Sequence, residues 1–150
     1  MDVQQLSVFI ENKAGRISEM TDLLGKAGIQ IRGFSVSDTT DYGIVRLIID
    51  KPEDAAHILS DAGFTVKVTE VIALDLPDIP GGLANVLGVV SNAGVNIEYV
   101  YSLIGTYVVI NVHDISRAKA LLADKPVRIV SQEELSSLDP LPSKHGICDG

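Results

Sequence analysis

Leu23-Leu24-Gly25-Lys26-Ala27-Gly28-Ile29-Gln30-Ile31 has a second version in the same chain, Val89-Val90-Ser91-Asn92-Ala93-Gly94-Val95-Asn96-Ile97, 66 positions later. In both, an apolar pair and an Ala close an amphipathic helix, a Gly stops it, and alternating apolar residues open a strand. The offset holds upstream, with Leu6–Ile10 over Ile72–Leu76, Gly15 over Gly81 and Ile17 over Leu83. Downstream it shrinks to 64, with Val45 over Val109 and Asp50 over Asp114, so the second copy has lost two residues in between. The chain is therefore a tandem duplication.

Each copy reads strand, helix, strand, strand, helix, strand. Leu6, Val8 and Ile10 alternate with Ser7, Phe9 and Glu11, a half-buried strand. Ile17, Met20, Leu23, Leu24 and Ala27 line one helix face. Ile29 to Val36 and Ile44 to Ile49 read as strands around a turn-rich Asp38–Gly43. Pro52 suits the first turn of a second helix, which Gly63 ends. In copy two Leu83, Val86, Leu87, Val90 and Ala93 repeat the first helix. Val108 to Val112 repeat the third strand, and Ala118, Leu121 and Leu122 mark the second helix with Ser116 as a candidate N-cap.

The βαββαβ order predicts an α+β fold of two tandem ferredoxin-like domains. Each is expected to be an antiparallel four-stranded sheet with two helices on one face. The expected divisions are residues 1–70, residues 71–135 and a C-terminal tail, residues 136–150, whose prolines and small polar residues argue against a packed element. From Phe64 to Leu76 no Gly, Pro or Ser intervenes, and only Glu70 breaks the apolar even positions. The last strand of copy one should run almost directly into the first strand of copy two. Two cores this small, each with a bare sheet face or edge, predict a homodimer or larger assembly.

Composition narrows the function. The 150 residues carry 20 acidic and 12 basic side chains, a net charge of −8, which disfavours nucleic acid and anionic membranes as partners. The lone cysteine, Cys148, rules out an internal disulfide framework, and with no signal-like start or long apolar run a cytoplasmic setting is expected. No catalytic motif is present, and His57, His113 and His145 do not assemble one. His145 and Cys148 alone do not complete a metal site, so neither metal nor cofactor is expected. An RNA-binding version of this fold would need basic charge and aromatic platforms, and Ile44–Ile49 offers no aromatic.

Interest falls on the first strand-to-helix turn of each copy, Glu11–Ile17 and Pro77–Leu83. A glycine there lets a ligand approach the backbone, the helix N–H groups suit a carboxylate, and a side-chain oxygen of Asn12 or Asp78 can meet an ammonium. Alternatively, Gly15 and Gly81 only permit the turn and Asn12 and Asp78 only cap it. Gln30 and Asn96 are polar amides that can face a ligand or simply solvent.

Asn12-Lys-Ala-Gly15-Arg-Ile17 with Ala27-Gly28-Ile29-Gln30-Ile31, and Asp78-Ile-Pro-Gly81-Gly-Leu83 with Ala93-Gly94-Val95-Asn96-Ile97, resemble the ACT domain. The resemblance covers about 130 residues as two copies. It implies a small regulatory module that binds a free amino acid where two domains meet. Carried across, the ligand contacts fall on Asn12, Ala14, Gly15, Arg16, Ile17 and Gln30, and on Asp78, Pro80, Gly81, Gly82, Leu83 and Asn96. Copy two is closer to the family pattern, since copy one has Ala14 for Pro and Gln30 for Asn. A free-standing pair with no catalytic domain is expected to be a non-enzymatic sensor acting on a separate metabolic enzyme. The alternative is a structural or regulatory subunit whose ligand site is vestigial.

Overall fold

The computed structural model describes residues 2–11, 13–38 and 42–138. Its elements are β1 (Val3–Glu11), α1 (Arg16–Lys26), β2 (Ile31–Asp38), β3 (Tyr42–Ile49), α2 (Pro52–Asp61) and β4 (Thr65–Asp75). Then come α3 (Gly82–Asn92), β5 (Ile97–Ser102), β6 (Tyr107–Val112), α4 (Ile115–Leu122), β7 (Arg128–Val130) and α5 (Gln132–Ser136). The α+β reading and the tandem antiparallel sheets are as the sequence predicts.

The first unit has strand order β2-β3-β1-β4, all antiparallel. Leu6, Val8 and Ile10 of β1 and Val45, Leu47 and Ile49 of β3 bury one sheet face against Met20 and Leu24 of α1 and Ala55 and Leu59 of α2. Pro52 sets the first turn of α2, where Glu53 and Asp54 suit the positive end of the helix dipole. The second unit repeats the plan. Ile72, Leu74, Val108, Ile110 and Val112 meet Val86 and Val90 of α3 and Ala118 and Leu122 of α4. The N-cap of α4 is Asp114, whose carboxylate accepts from the Arg117 N–H at 3.1 Å. Ser116, the expected cap, lies inside the helix, because Asp114, as good a capping residue, stands two positions earlier and starts it there.

β4 belongs to both units. Residues 65–71 pair with β1 as an edge of the first sheet, and residues 72–75 pair with β6 inside the second. β7 pairs with the same end of β4. The boundary expected at residue 70 thus falls within one unbroken strand that the two units share.

The helix-free faces of the two sheets pack on each other. Val3, Ile48 and Val71 meet Ala73, Leu103, Val109, Val130 and Leu135 in a third buried cluster. Gln5 is fully buried there, its Nε2 donating to the Tyr99 hydroxyl (2.7 Å) and Ser7 Oγ (3.2 Å). Its Oε1 accepts from the Tyr101 hydroxyl at 2.7 Å, and the Arg46 guanidinium lies 4.1 Å from the Tyr99 ring centre. The bare face that one copy would expose is covered by the other copy.

The segment starting at residue 136 is a correction, as far as it is described. Ser131 caps α5, accepting from the Glu134 N–H at 3.1 Å. The buried Gln132 ties this helix to the first unit, accepting from the Gln4 N–H (3.1 Å) and donating to the Ile49 carbonyl (3.0 Å). Ser136 donates to the Asp50 carbonyl at 2.8 Å, and Leu138 packs on the inter-sheet cluster. These bonds order the chain through Leu138 despite its composition. The rest of the expected tail, with His145 and Cys148, lies outside the described residues.

Candidate functional site

Among the described residues the two strand-to-helix turns share their backbone hydrogen bonds. The Lys13 N–H donates to the Glu11 carbonyl (2.7 Å), as Ile79 does to Pro77 (2.9 Å). Glu19 N–H donates to Gly15 (2.8 Å), as Asn85 does to Gly81 (2.9 Å). Gly15 and Gly81 hold φ of 88° and 85°, where a Cβ is disfavoured. One difference lies at the first helical residue. Gly82 is buried, and a Cβ on it would lie 2.6 Å from the Pro77 carbonyl oxygen. Arg16 carries a side chain at the matching place. Its N–H reaches the Lys13 carbonyl at 3.4 Å, against 3.1 Å for Gly82 to Ile79.

Ala14, Gly15 and Ile17 of the first turn are exposed, and Asn12 lies outside the described residues. Arg16 is half-buried, 4.3 Å from the Phe64 ring centre, with Nη1 donating to Glu19 at 2.9 Å. The ammonium of Lys13, 3.1 Å from Glu11, bonds that carboxyl and holds it below its usual range. In the second turn Asp78, Pro80, Gly81 and Leu83 are exposed. Gln30 and Asn96 are exposed too, but at the far ends of α1 and α3. An eleven-residue helix is about 16 Å long at the usual rise per residue. The structure therefore does not bring Gln30 to Ala14–Ile17, nor Asn96 to Asp78–Leu83, within a copy. Both amides sit in backbone links instead. The Gln30 carbonyl accepts from the Asp50 N–H (3.3 Å), and the Asn96 carbonyl accepts from the His113 N–H (3.2 Å).

A groove of about 640 Å³ runs from the first turn along the seam between α1 and β2. Ile17, Met20 and Thr21 form one wall, and Arg32, Phe34 and Val36 the other. Ser102, Leu103 and Ile104, from the β5–β6 connection of the second unit, close its end. It lies where the two copies meet. A smaller hollow of about 160 Å³ shares Ile17, Val36 and Val45 with it and reaches Glu11 and Lys13. At the second turn the hollow is about 390 Å³ and lies on the other flank of α3, against Lys125, Pro126 and Val127.

Sequence reading missed Arg32, Phe34, Leu103 and Ile104. The signal available was a charge at Arg32 between the apolar or small residues Ile31, Gly33 and Phe34. Arg32 is 8% exposed; its Nη2 donates to the Leu138 carbonyl at 2.6 Å, while its Nε has no partner among the described residues. Among the described residues, no group of three or more His, Cys, Asp or Glu is placed to hold a metal, and no helix is long and apolar enough to cross a membrane.

Comparison with known proteins agrees with this architecture. The ACT domain pair family matches residues 1–139, and the chain belongs to that family. A solved protein from Bacteroides thetaiotaomicron is 37% identical with a TM-score of 0.86, the match covering 92% of this chain and 98% of that one. The ligand-free regulatory subunit of aspartate kinase from Thermus thermophilus is 18% identical (TM-score 0.60), with 82% of this chain and 90% of that one covered. The corresponding subunit from Thermus flavus is 16% identical with the same TM-score and coverage. These two share the fold. Among curated proteins, none matches.

Proposed function

We propose that this chain is a non-catalytic regulatory protein that senses a free amino acid at its strand-to-helix turns and modulates a partner enzyme of amino-acid metabolism in the cytoplasm. The observation that carries this reading is the α1–β2 groove. It starts at Ile17, follows the helix, and is closed by the second unit, so an occupant touches both copies. A ligand bridging two units bound by a shared strand can bias their relative setting, which a partner can read. In this reading Ala14, Gly15, Arg16 and Ile17, with Asn12, are the ligand contacts of copy one, and the support for it is that Ile17 lines the groove. Asp78, Pro80, Gly81, Gly82 and Leu83 are the corresponding contacts proposed for copy two, of which Gly82 lines the hollow beside α3. Gln30 and Asn96 lie at the far ends of α1 and α3 and can serve a turn only from another copy or another chain. The half-exposed Phe34 and Val36 on the edge strand β2 support a homodimer.

The test is thermal unfolding of the full chain with each of the twenty amino acids in turn. A ligand that binds only the folded state adds about 2.7 kcal/mol at one hundred times its Kd. A raised Tm with one or a few amino acids is expected. No shift with any of them at millimolar concentration would leave the subunit with a vestigial site as the better reading.

A further inference from the structure

We propose that the α1–β2 groove selects its ligand by a carboxylate, met by Arg32, and an apolar tail, and sets no charged partner against an ammonium. This rests on the reading that the groove holds a small metabolite. Arg32 occupies the irregularity in β2 where pairing with β3 shifts between Ile31 and Gly33, and it forms part of the groove wall. A guanidinium keeps its charge even when buried, and a buried charge is costly unless an anion or several acceptors meet it. Among the described residues this one has a single neutral acceptor, the Leu138 carbonyl, and an unpartnered Nε. That one bond is the tether that the guanidinium must loosen or keep as it turns toward an occupant.

The remaining wall sets the other half of the preference. Met20, Phe34, Val36, Leu103 and Ile104 are apolar, and among the described residues no Asp or Glu lines the groove. The hydroxyls of Thr21 and Ser102 are its polar side-chain groups besides Arg32. Among the described residues the site therefore offers one positive charge and no negative one. A small anion with a branched or aromatic tail fits that pattern. An amino acid with such a side chain and the corresponding 2-oxo acid share this chemistry.

Calorimetry and thermal unfolding on the full chain separate the possibilities. The probes are leucine, phenylalanine, their 2-oxo acids, 3-methylbutylamine (the leucine tail without its carboxylate) and aspartate. A leucine or phenylalanine and its 2-oxo acid should bind within about tenfold of each other, and the amine and aspartate should not bind. Arg32→Met should weaken the carboxylates at least about tenfold, as loss of a charge-assisted bond does. Arg32→Lys should retain part of the affinity. The ligand-free Tm of Arg32→Met should equal or exceed the parent's, since an uncompensated buried charge is gone. Amine binding as tight as leucine, or affinity unchanged in Arg32→Met, would overturn the proposal. So would a lower ligand-free Tm in Arg32→Met that Asp139→Asn reproduces, because the chain would then supply its own anion. If an amino acid binds but Arg32→Met is indifferent, only this inference fails. If no amino acid or 2-oxo acid binds the parent, the sensor reading fails with it.

Discussion

Gly33 lies directly under Leu103: a Cβ built on Gly33 would stand 3.2 Å from the Leu103 Cα and run into its Cδ2 methyl. Gly33 is in the first copy and Leu103 in the second. The Ile104 N–H donates to the Arg32 carbonyl at 3.2 Å beside this contact. The missing side chain is what lets the β5–β6 connection settle on β2 and close the groove. Gly33→Ala should therefore cost about 1–3 kcal/mol of unfolding free energy, the usual range for overpacking. Leu103→Ala should relieve part of that cost. A double-mutant cycle by denaturant unfolding should show coupling of at least about 0.5 kcal/mol. Additive effects would mean the two residues do not meet as described.

Tyr101 gives the fold a pH dependence. Burial, followed by the neighbouring Tyr99, pushes its phenol well above the ordinary value of 10.0, and Arg46 only partly opposes this. The folded chain thus holds Tyr101 neutral in a range where the unfolded chain ionises it. The stabilisation is complete below pH 10 and is lost as pH climbs toward the raised folded value. Stability should fall steeply above that pH, and tyrosinate absorbance from this residue should appear only with unfolding. Tyr101→Phe should flatten the alkaline limb. It should also cost about 1–3 kcal/mol at neutral pH, because it leaves the buried Gln5 Oε1 without its donor.

The repeat, the element order and the unbroken joint were legible because each rests on local rules. Gly28 and Gly94 stop their helices with positive φ, and nothing between Phe64 and Leu76 interrupts a strand. The inter-sheet face was not legible. Gln5 occupies the outward position of β1 and reads as solvent-facing, yet Tyr99 and Tyr101 from 94 and 96 residues away enclose it. Arg32 escaped notice because an irregular pairing changes which way the strand's residues point, and alternation assumes a regular ladder. Helix α5 has five residues, too few for periodicity. Its sign was the Ser131-Gln132-Glu133-Glu134 capping pattern.

Gly15 and Gly81 should be equivalent in energy. Apart from their chain neighbours, no atom of the described residues comes within 4 Å of a Cβ on either, so it is the backbone conformation that opposes substitution. Gly15→Ala and Gly81→Ala should each cost about 1–2 kcal/mol, the penalty of an L residue in the left-handed region. Gly15→Asn and Gly81→Asn should cost less, since Asn tolerates that region. Denaturant unfolding of the four variants checks this. A large difference between the two alanine variants would show that the turns differ in ways their shared hydrogen bonds do not reveal.

Ile17 and Leu83 form a matched pair for finding which copy binds. Each is the second residue of its helix, and they are 44% and 42% exposed. An aspartate at either place meets the same helix dipole, so Ile17→Asp and Leu83→Asp should alter ligand-free stability by less than about 1 kcal/mol. Their surroundings differ. Ile17 lines both the large groove and the hollow beside Glu11, whereas Leu83 lines neither of these nor the hollow on α3. A carboxylate at Ile17 removes apolar contact and repels an anionic group entering the groove. Ile17→Asp should weaken the amino acid found in the thermal screen at least about tenfold, which is about 1.4 kcal/mol. Leu83→Asp should change it less than about threefold. Titration calorimetry on the two variants decides the matter. If Leu83→Asp abolishes binding while Ile17→Asp leaves it intact, the ligand belongs to the Asp78–Leu83 turn of copy two, and the groove along α1 has another use.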